Sequence, residues 1–113
     1  MEKVDTIMSD QVTNTKVDEA IDLPASYHQL EPTDRRLVRE QYIKLQNGKC
    51  FYCKHDLSKE PPKSILDKQI DWSYFPENFL KYPVHLQHDH KTDLTEGAVH
   101  AYCNAVMWQY EGR

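Results

Sequence analysis

Cys50 and Cys53 are separated by two residues, and His100 and Cys103 share the same spacing. Thiolates and an imidazole in paired x2 spacing are what a tetrahedral zinc ion takes, because one tight turn then delivers two ligands at once. Cys50, Cys53, His100 and Cys103 complete such a set. His55 and His85 stand as rival fourth ligands, although neither builds a second x2 pair. Three cysteines cannot all pair within one chain, and Cys-x2-Cys points to metal rather than to a disulfide, so a reducing, cytoplasmic setting is expected.

Between the two pairs lies Val84-His85-Leu86-Gln87-His88-Asp89-His90, and Asn104 directly follows the last cysteine. Histidine is the natural proton acceptor near neutral pH, and nearby oxygen ligands can hold a divalent cation. A base for water, a cation against developing negative charge and an orienting group are what hydrolysis of a phosphodiester demands. Two registers are open: His88 as base with Gln87 at the cation, or His90 as base with Asp89 at the cation. The step after Leu86 on the face of Val84 is His88. An asparagine at a helix start is usually a cap; beside a ligand cysteine and a histidine run, Asn104 reads as part of the site.

The elements that must position these residues follow from pattern. Glu31-Pro32-Thr33-Asp34 reads as a helix start with Thr33 as N-cap, and Leu37, Val38, Tyr42 and Leu45 share a stripe that Asn47-Gly48 ends. Val84–His90 alternates as a strand, Lys91–Gly97 is a polar loop, and a hairpin closes through Ala98–His100. A last helix is expected from Cys103 to about Glu111, stopped by Gly112, with Met107 and Trp108 in its core face. Residues 54–82 read as irregular. Their Trp72, Tyr74, Phe75, Phe79 and Tyr82 either cover a small core or stack on unpaired bases. Residues 1–30 are polar and acidic, a disordered tail ahead of one domain over 31–113.

At 113 residues the chain has little margin from apolar burial alone. A structural zinc adds an apparent ~10–16 kcal/mol in small domains, which is decisive on that scale. The net charge of −4 sits entirely in the first 22 residues, while bases outnumber acids nine to four over 35–68. That basic segment suits a polyanion, with Arg35, Arg36, Arg39, Lys44, Lys49 and Lys54 as candidate DNA-backbone contacts. No apolar run approaches membrane-spanning length.

The ordered combination Cys50-x2-Cys53, Leu86-Gln87-His88-Asp89-His90 and His100-Ala-Tyr-Cys103-Asn104 resembles the HNH superfamily, and most of all its phage endonuclease VII-like branch. The resemblance covers residues 33–113. It implies an α+β fold, a zinc-stapled ββα-metal (HNH) domain with a preceding helix, and a magnesium- or manganese-dependent DNA endonuclease. It places the base at the step after Leu86, which is His88, leaving Asp89 and His90 as supporting or phosphate-contacting groups. It puts Asn104 and the residue before the base in the places of the cation ligands. That last residue is Asp or His in the family and is Gln87 here. A neutral amide brings no charge attraction, so a slower enzyme, a manganese-dependent one, or a non-catalytic zinc module binding DNA or a protein partner all stay open. A phage origin would place the protein in a bacterial host's cytoplasm, as monomer or homodimer.

Overall fold

The computed structural model describes residues 20–112. Its main elements are α1 (Pro32–Leu45), a one-turn α2 (Lys63–Leu66), β1 (Val84–His88), β2 (Thr95–His100) and α3 (Ala101–Glu111), with 3-10 turns at Tyr27–Gln29 and Trp72–Tyr74. The architecture is a small mixed α/β one whose two strands form an antiparallel hairpin.

Helix α1 begins two residues earlier than its composition suggested. Glu31 is the N-cap and Pro32 takes the first helical position, where a missing N–H costs nothing, so Thr33 lies inside the helix. The helix ends as expected: Asn47 and Gly48 both adopt left-handed backbone, and the Gly48 amide donates to Ile43 O. That turn launches the first cysteine pair. Helix α3 starts at Ala101 rather than Cys103 and stops on left-handed Gly112.

The hairpin pairs Val84 with His100, Leu86 with Ala98 and Gln87 with Gly97. A bulge then leaves Glu96 without an opposite residue and pairs His88 with Thr95. Helices α1 and α3 each pack against both strands. Ala98, Val99 and His100 are therefore buried in succession, and alternation fails as a guide there. Gly97 is needed for close approach: a Cβ on it would stand 2.8 Å from Gln46 Oε1 and 2.9 Å from Phe51 Cβ. Gln46 uses this closeness, accepting from Ala98 N and donating to Ala98 O, both in the reach of one amide.

The core gathers Cys50, Leu57, Ile65, Ala98, Val99, Cys103, Val106 and Met107. Met107 is buried as expected. Trp108 is not a core residue: it is 40 % exposed and meets Tyr74 and Phe75 at the surface. The expected tail also needs correction over 20–30, while residues 1–19 lie outside the described residues. Ile21 exchanges two hydrogen bonds with the Gln41 amide, Ala25 and Thr95 exchange two more, and the Tyr27 amide donates to Asp93 O at 2.7 Å. The segment is a strap laid on the hairpin turn. The fold pairs the backbone amides of Ile21, Ala25, Tyr27 and His28, which composition cannot register. No helix among the described residues is long and apolar enough to cross a membrane.

Candidate metal centre and adjoining cleft

The first cysteine pair sits on a tight loop closed by the bridge between Lys49 and Asp56. Its backbone bonds run from Cys50 N to His55 O and from Lys54 N to Cys50 O, with Lys54 in left-handed conformation. The second pair spans the junction of β2 and α3, and Phe51 N donating to Ala98 O holds the two parts together. One ligand atom from each of Cys50, Cys53, His100 and Cys103 then lies within 4.8 Å of every other, a group that could hold a metal ion such as zinc.

The surroundings fit that ion. His100 turns Nδ1 toward the thiols, 3.4 Å from Cys53 Sγ and 3.7 Å from Cys103 Sγ. Its Nε2 faces two carbonyls, Asp56 O at 2.9 Å and Lys59 O at 2.8 Å, so Nε2 carries the proton and Nδ1 keeps its lone pair for a metal. The amides of Tyr52 and Cys53 point at Cys50 Sγ. The Cys103 thiol donates to Cys50 and holds it well below the usual thiol range, helped by those amides and opposed by burial. Cys103 is pushed up by the same bond and then by its burial. Zinc binds such cysteines as thiolates, so amides aimed at Cys50 Sγ suit the ligand form. His55 and His85, the rival ligands, lie elsewhere: His55 Nδ1 contacts Cys53 O, and His85 is hydrogen-bonded to Phe79 and Asn104.

On the other side of the helix start a cavity of about 430 Å³ opens between the strap, α1, β1 and α3. Arg35 and Arg39 face it from α1, His85, Gln87, His88 and His90 from β1 and its turn, and Asn104 from α3. Four of the five sequence-predicted reactive residues are therefore gathered here, and Asp89 is the exception. Its carboxylate accepts the amides of Lys91 and Thr92, and these bonds hold it below its usual range as a turn organiser. Asp89 itself does not line the cavity.

His88 stacks flat on Tyr27, with ring centroids 4.0 Å apart and planes 8° apart, and Arg35 lies over the far ring at 4.0 Å from its centroid. Burial lowers the His88 pKa, with further lowering by His90, so the imidazole is neutral at neutral pH. His90 meets it edge-on, 4.8 Å between centroids. Gln87 is only 2 % exposed and its Nε2 donates to His88 O at 2.9 Å and to Glu96 Oε1 at 3.4 Å.

His85 has a role that the sequence did not reveal. Phe79 O can only accept, so His85 Nε2 donates to it at 2.9 Å, and Nδ1 accepts from Asn104 Nδ2 at 3.0 Å. Burial lowers the His85 pKa and supports this neutral tautomer. The pair turns the Asn104 amide oxygen away from His85. Only the strand register could have hinted at this, by putting His85 one residue from His100's partner Val84.

Of the predicted backbone contacts, Arg35 and Arg39 face the cavity. Arg36, Lys44, Lys49 and Lys54 are exposed and stand outside it, with Lys54 Nζ turned onto Phe51 O. A smaller aromatic recess of Tyr74, Phe75, Phe79 and Trp108 adjoins the cavity and shares His90 and Asn104 with it. Among the described residues no carboxylate lines the larger cavity. A dication at Gln87 and Asn104 would have amide oxygens from this chain and would have to draw its charge balance from a bound phosphate. No family model, no curated protein and no solved structure matches the chain.

Proposed function

We propose that this chain is an HNH-type endonuclease that hydrolyses DNA phosphodiester bonds, with a zinc ion at the Cys/His centre as a structural staple. The observation that carries the reading is the meeting of His88, Asn104 and two arginines in one cavity beside that centre. The ordered motif resembling the HNH superfamily supports it from the sequence side.

In this reading His88, neutral and held in plane by Tyr27, accepts the proton of the attacking water. Arg35 and Arg39 bind the phosphate oxygens and fix the scissile group in front of that base. Asn104, oriented by His85, and Gln87 would hold a magnesium or manganese ion together with the phosphate. Such an ion supplies charge neutralisation at the phosphate as negative charge builds. The aromatic recess is placed to stack an unpaired base next to the cleft.

A second reading, a nucleic-acid-binding module without cleavage, is favoured by one feature: among the described residues no carboxylate lines the cavity, and Gln87 stands where the resemblance expects an acidic or imidazole ligand. Supercoiled plasmid incubated with zinc-loaded protein over a Mg²⁺ and Mn²⁺ series, beside His88→Ala, separates the two. Nicking that disappears in the variant supports the nuclease. Binding of plasmid without cleavage by either protein, at any metal concentration, leaves the second reading.

A further inference from the structure

Next to the cleft, His28, His88 and Asp93 form a group whose ligand atoms also lie within 4.8 Å of one another. They come from three separate segments: the strap, the end of β1 and the hairpin turn. We propose that these three residues are a second metal site, selective for zinc-like transition cations over magnesium, and that filling it takes His88 out of use.

The carboxylate is held ready. Asp93 adopts left-handed backbone, its amide donates to Asp89 O and its carbonyl accepts from Tyr27 N. Its Oδ2 accepts from Ser26 Oγ at 2.7 Å and from the His28 amide at 2.9 Å, while Oδ1 is hydrogen-bonded to His28 Nδ1. A carboxylate fixed by neighbouring donors while one oxygen faces an imidazole is the usual support of a metal ligand. His88 is equally fixed, by the Tyr27 stack on its face and the edge of His28 at 5.6 Å between centroids.

The donor chemistry decides the cation. Two imidazoles and one carboxylate, with remaining positions for water, suit Zn²⁺ and its neighbours Ni²⁺ and Cu²⁺. Magnesium asks for an all-oxygen shell and would be taken poorly. His28 is 73 % exposed at the side chain, so a cation reaches the group from solvent. The group shares no residue with the Cys/His centre, so the two can fill independently.

The consequence for His88 rests on the proposed nuclease function, whereas the binding does not. A base whose lone pair is held by a metal cannot accept a proton, so zinc beyond the first equivalent should suppress cleavage that magnesium supports.

The test starts from full-length protein with its Cys/His centre already filled with Zn²⁺, titrated calorimetrically with further Zn²⁺ and, separately, Mg²⁺. The expected result is one additional zinc equivalent and none for magnesium. In His28→Ala and Asp93→Ala that additional equivalent should bind at least tenfold more weakly, while His90→Ala should retain it. Cobalt substitution gives an independent signature: the first equivalent shows thiolate-to-metal charge transfer and the second shows only d–d bands. No additional equivalent in the wild type, or an additional one unchanged in both His28→Ala and Asp93→Ala, overturns the site. Cleavage is read alongside: inhibition by the second equivalent in wild type but not in His28→Ala is expected, and inhibition of equal strength in both overturns the link to His88. Should no protein cleave DNA at all, the nuclease reading fails, and the stoichiometry still decides the metal site.

Discussion

In the zinc-bound form proposed for this protein, removing the metal from the Cys/His centre should unfold the domain. Two of its four ligands, Cys50 and Cys103, belong to the eight-residue core cluster, and both rank among the most deeply buried side chains of the protein. A folded region of about 90 residues is expected to be stable by roughly 5–14 kcal/mol in total. A structural zinc in a small domain contributes an apparent ~10–16 kcal/mol, as much as that whole margin. Its loss would also leave three thiols and an imidazole crowded within 4.8 Å of one another, joined only by weak sulfur hydrogen bonds such as those of Cys53 and Cys103 with His100 Nδ1. The assay is thermal unfolding followed by far-ultraviolet circular dichroism, before and after chelation, with zinc content measured by mass spectrometry. The expected outcome is loss of the cooperative transition on chelation and its return on adding one equivalent of Zn²⁺. Cys103→Ser should behave as the chelated protein does. Zinc-free protein that still melts cooperatively within a few degrees of the loaded form would refute the reasoning, because the apolar core alone would then be sufficient.

Four further outcomes are expected. Gln87→Asp, by adding a charged oxygen to a cavity that has none, should lower the Mg²⁺ concentration needed for cleavage about tenfold, equivalent to ~1.4 kcal/mol; an unchanged Mg²⁺ dependence counts against a cation at this position. Because burial holds the His88 pKa below its ordinary 6.5, cleavage should rise with pH through a limb centred below 6.5 and be flat at neutral pH, as pH–rate profiles of kcat/KM would show. Arg35→Ala and Arg39→Ala should each reduce the slope of log affinity against log salt by about 1 in DNA-binding titrations, and Arg36→Ala should change it less. Asp93, held at about 2 chiefly by the Ser26 hydroxyl against an ordinary 3.8, anchors the strap fully above pH ~4 and progressively less as pH falls toward 2; protection of the Tyr27 and His28 amides, taken relative to the unstructured exchange rate at each pH, should fall over that window and lose the dependence in Asp93→Asn.

What the sequence revealed followed local rules. The x2 pairs named the metal group because ligand spacing is set by a single turn, and Asn47-Gly48 and Gly112 marked helix ends because left-handed backbone selects those residues. The hairpin was legible from Val84 through His88, but its alternation misjudged Gln87, which is buried because helices pack against both strands and the bulge shifts the register at that point. The strap was illegible for a different reason. Ser26, Tyr27 and His28 contain no apolar period, and their place depends on hydrogen bonds to Asp93 and Thr95, more than sixty residues away in the chain. Trp108 was misassigned because α3 is apolar around most of its circumference, so no stripe distinguishes its core face.

The Cys/His group and the cleft meet at the start of α3, and that junction shows how a metal in the one would bear on the residues of the other. Successive residues on a helix are turned by about 100°, so Cys103 and Asn104 face different directions from neighbouring positions. Cys103 turns inward to the thiol group and Asn104 turns to the cleft. A ligand bond at Cys103 would therefore fix the rotation of the helix, and with it the direction of the Asn104 amide. His100 does the same for β2, whose partner strand β1 carries His85, Gln87 and His88. His85 then closes the circuit from β1 back to Asn104 through a single hydrogen bond of 3.0 Å. The two guanidinium groups come to the same cleft from α1, which Gln46 ties to β2 through both of its hydrogen bonds with Ala98. Shifting α3 by a fraction of a turn would separate His85 from Asn104 before it exposed any core residue, so loss of the ordered cleft should precede loss of the fold.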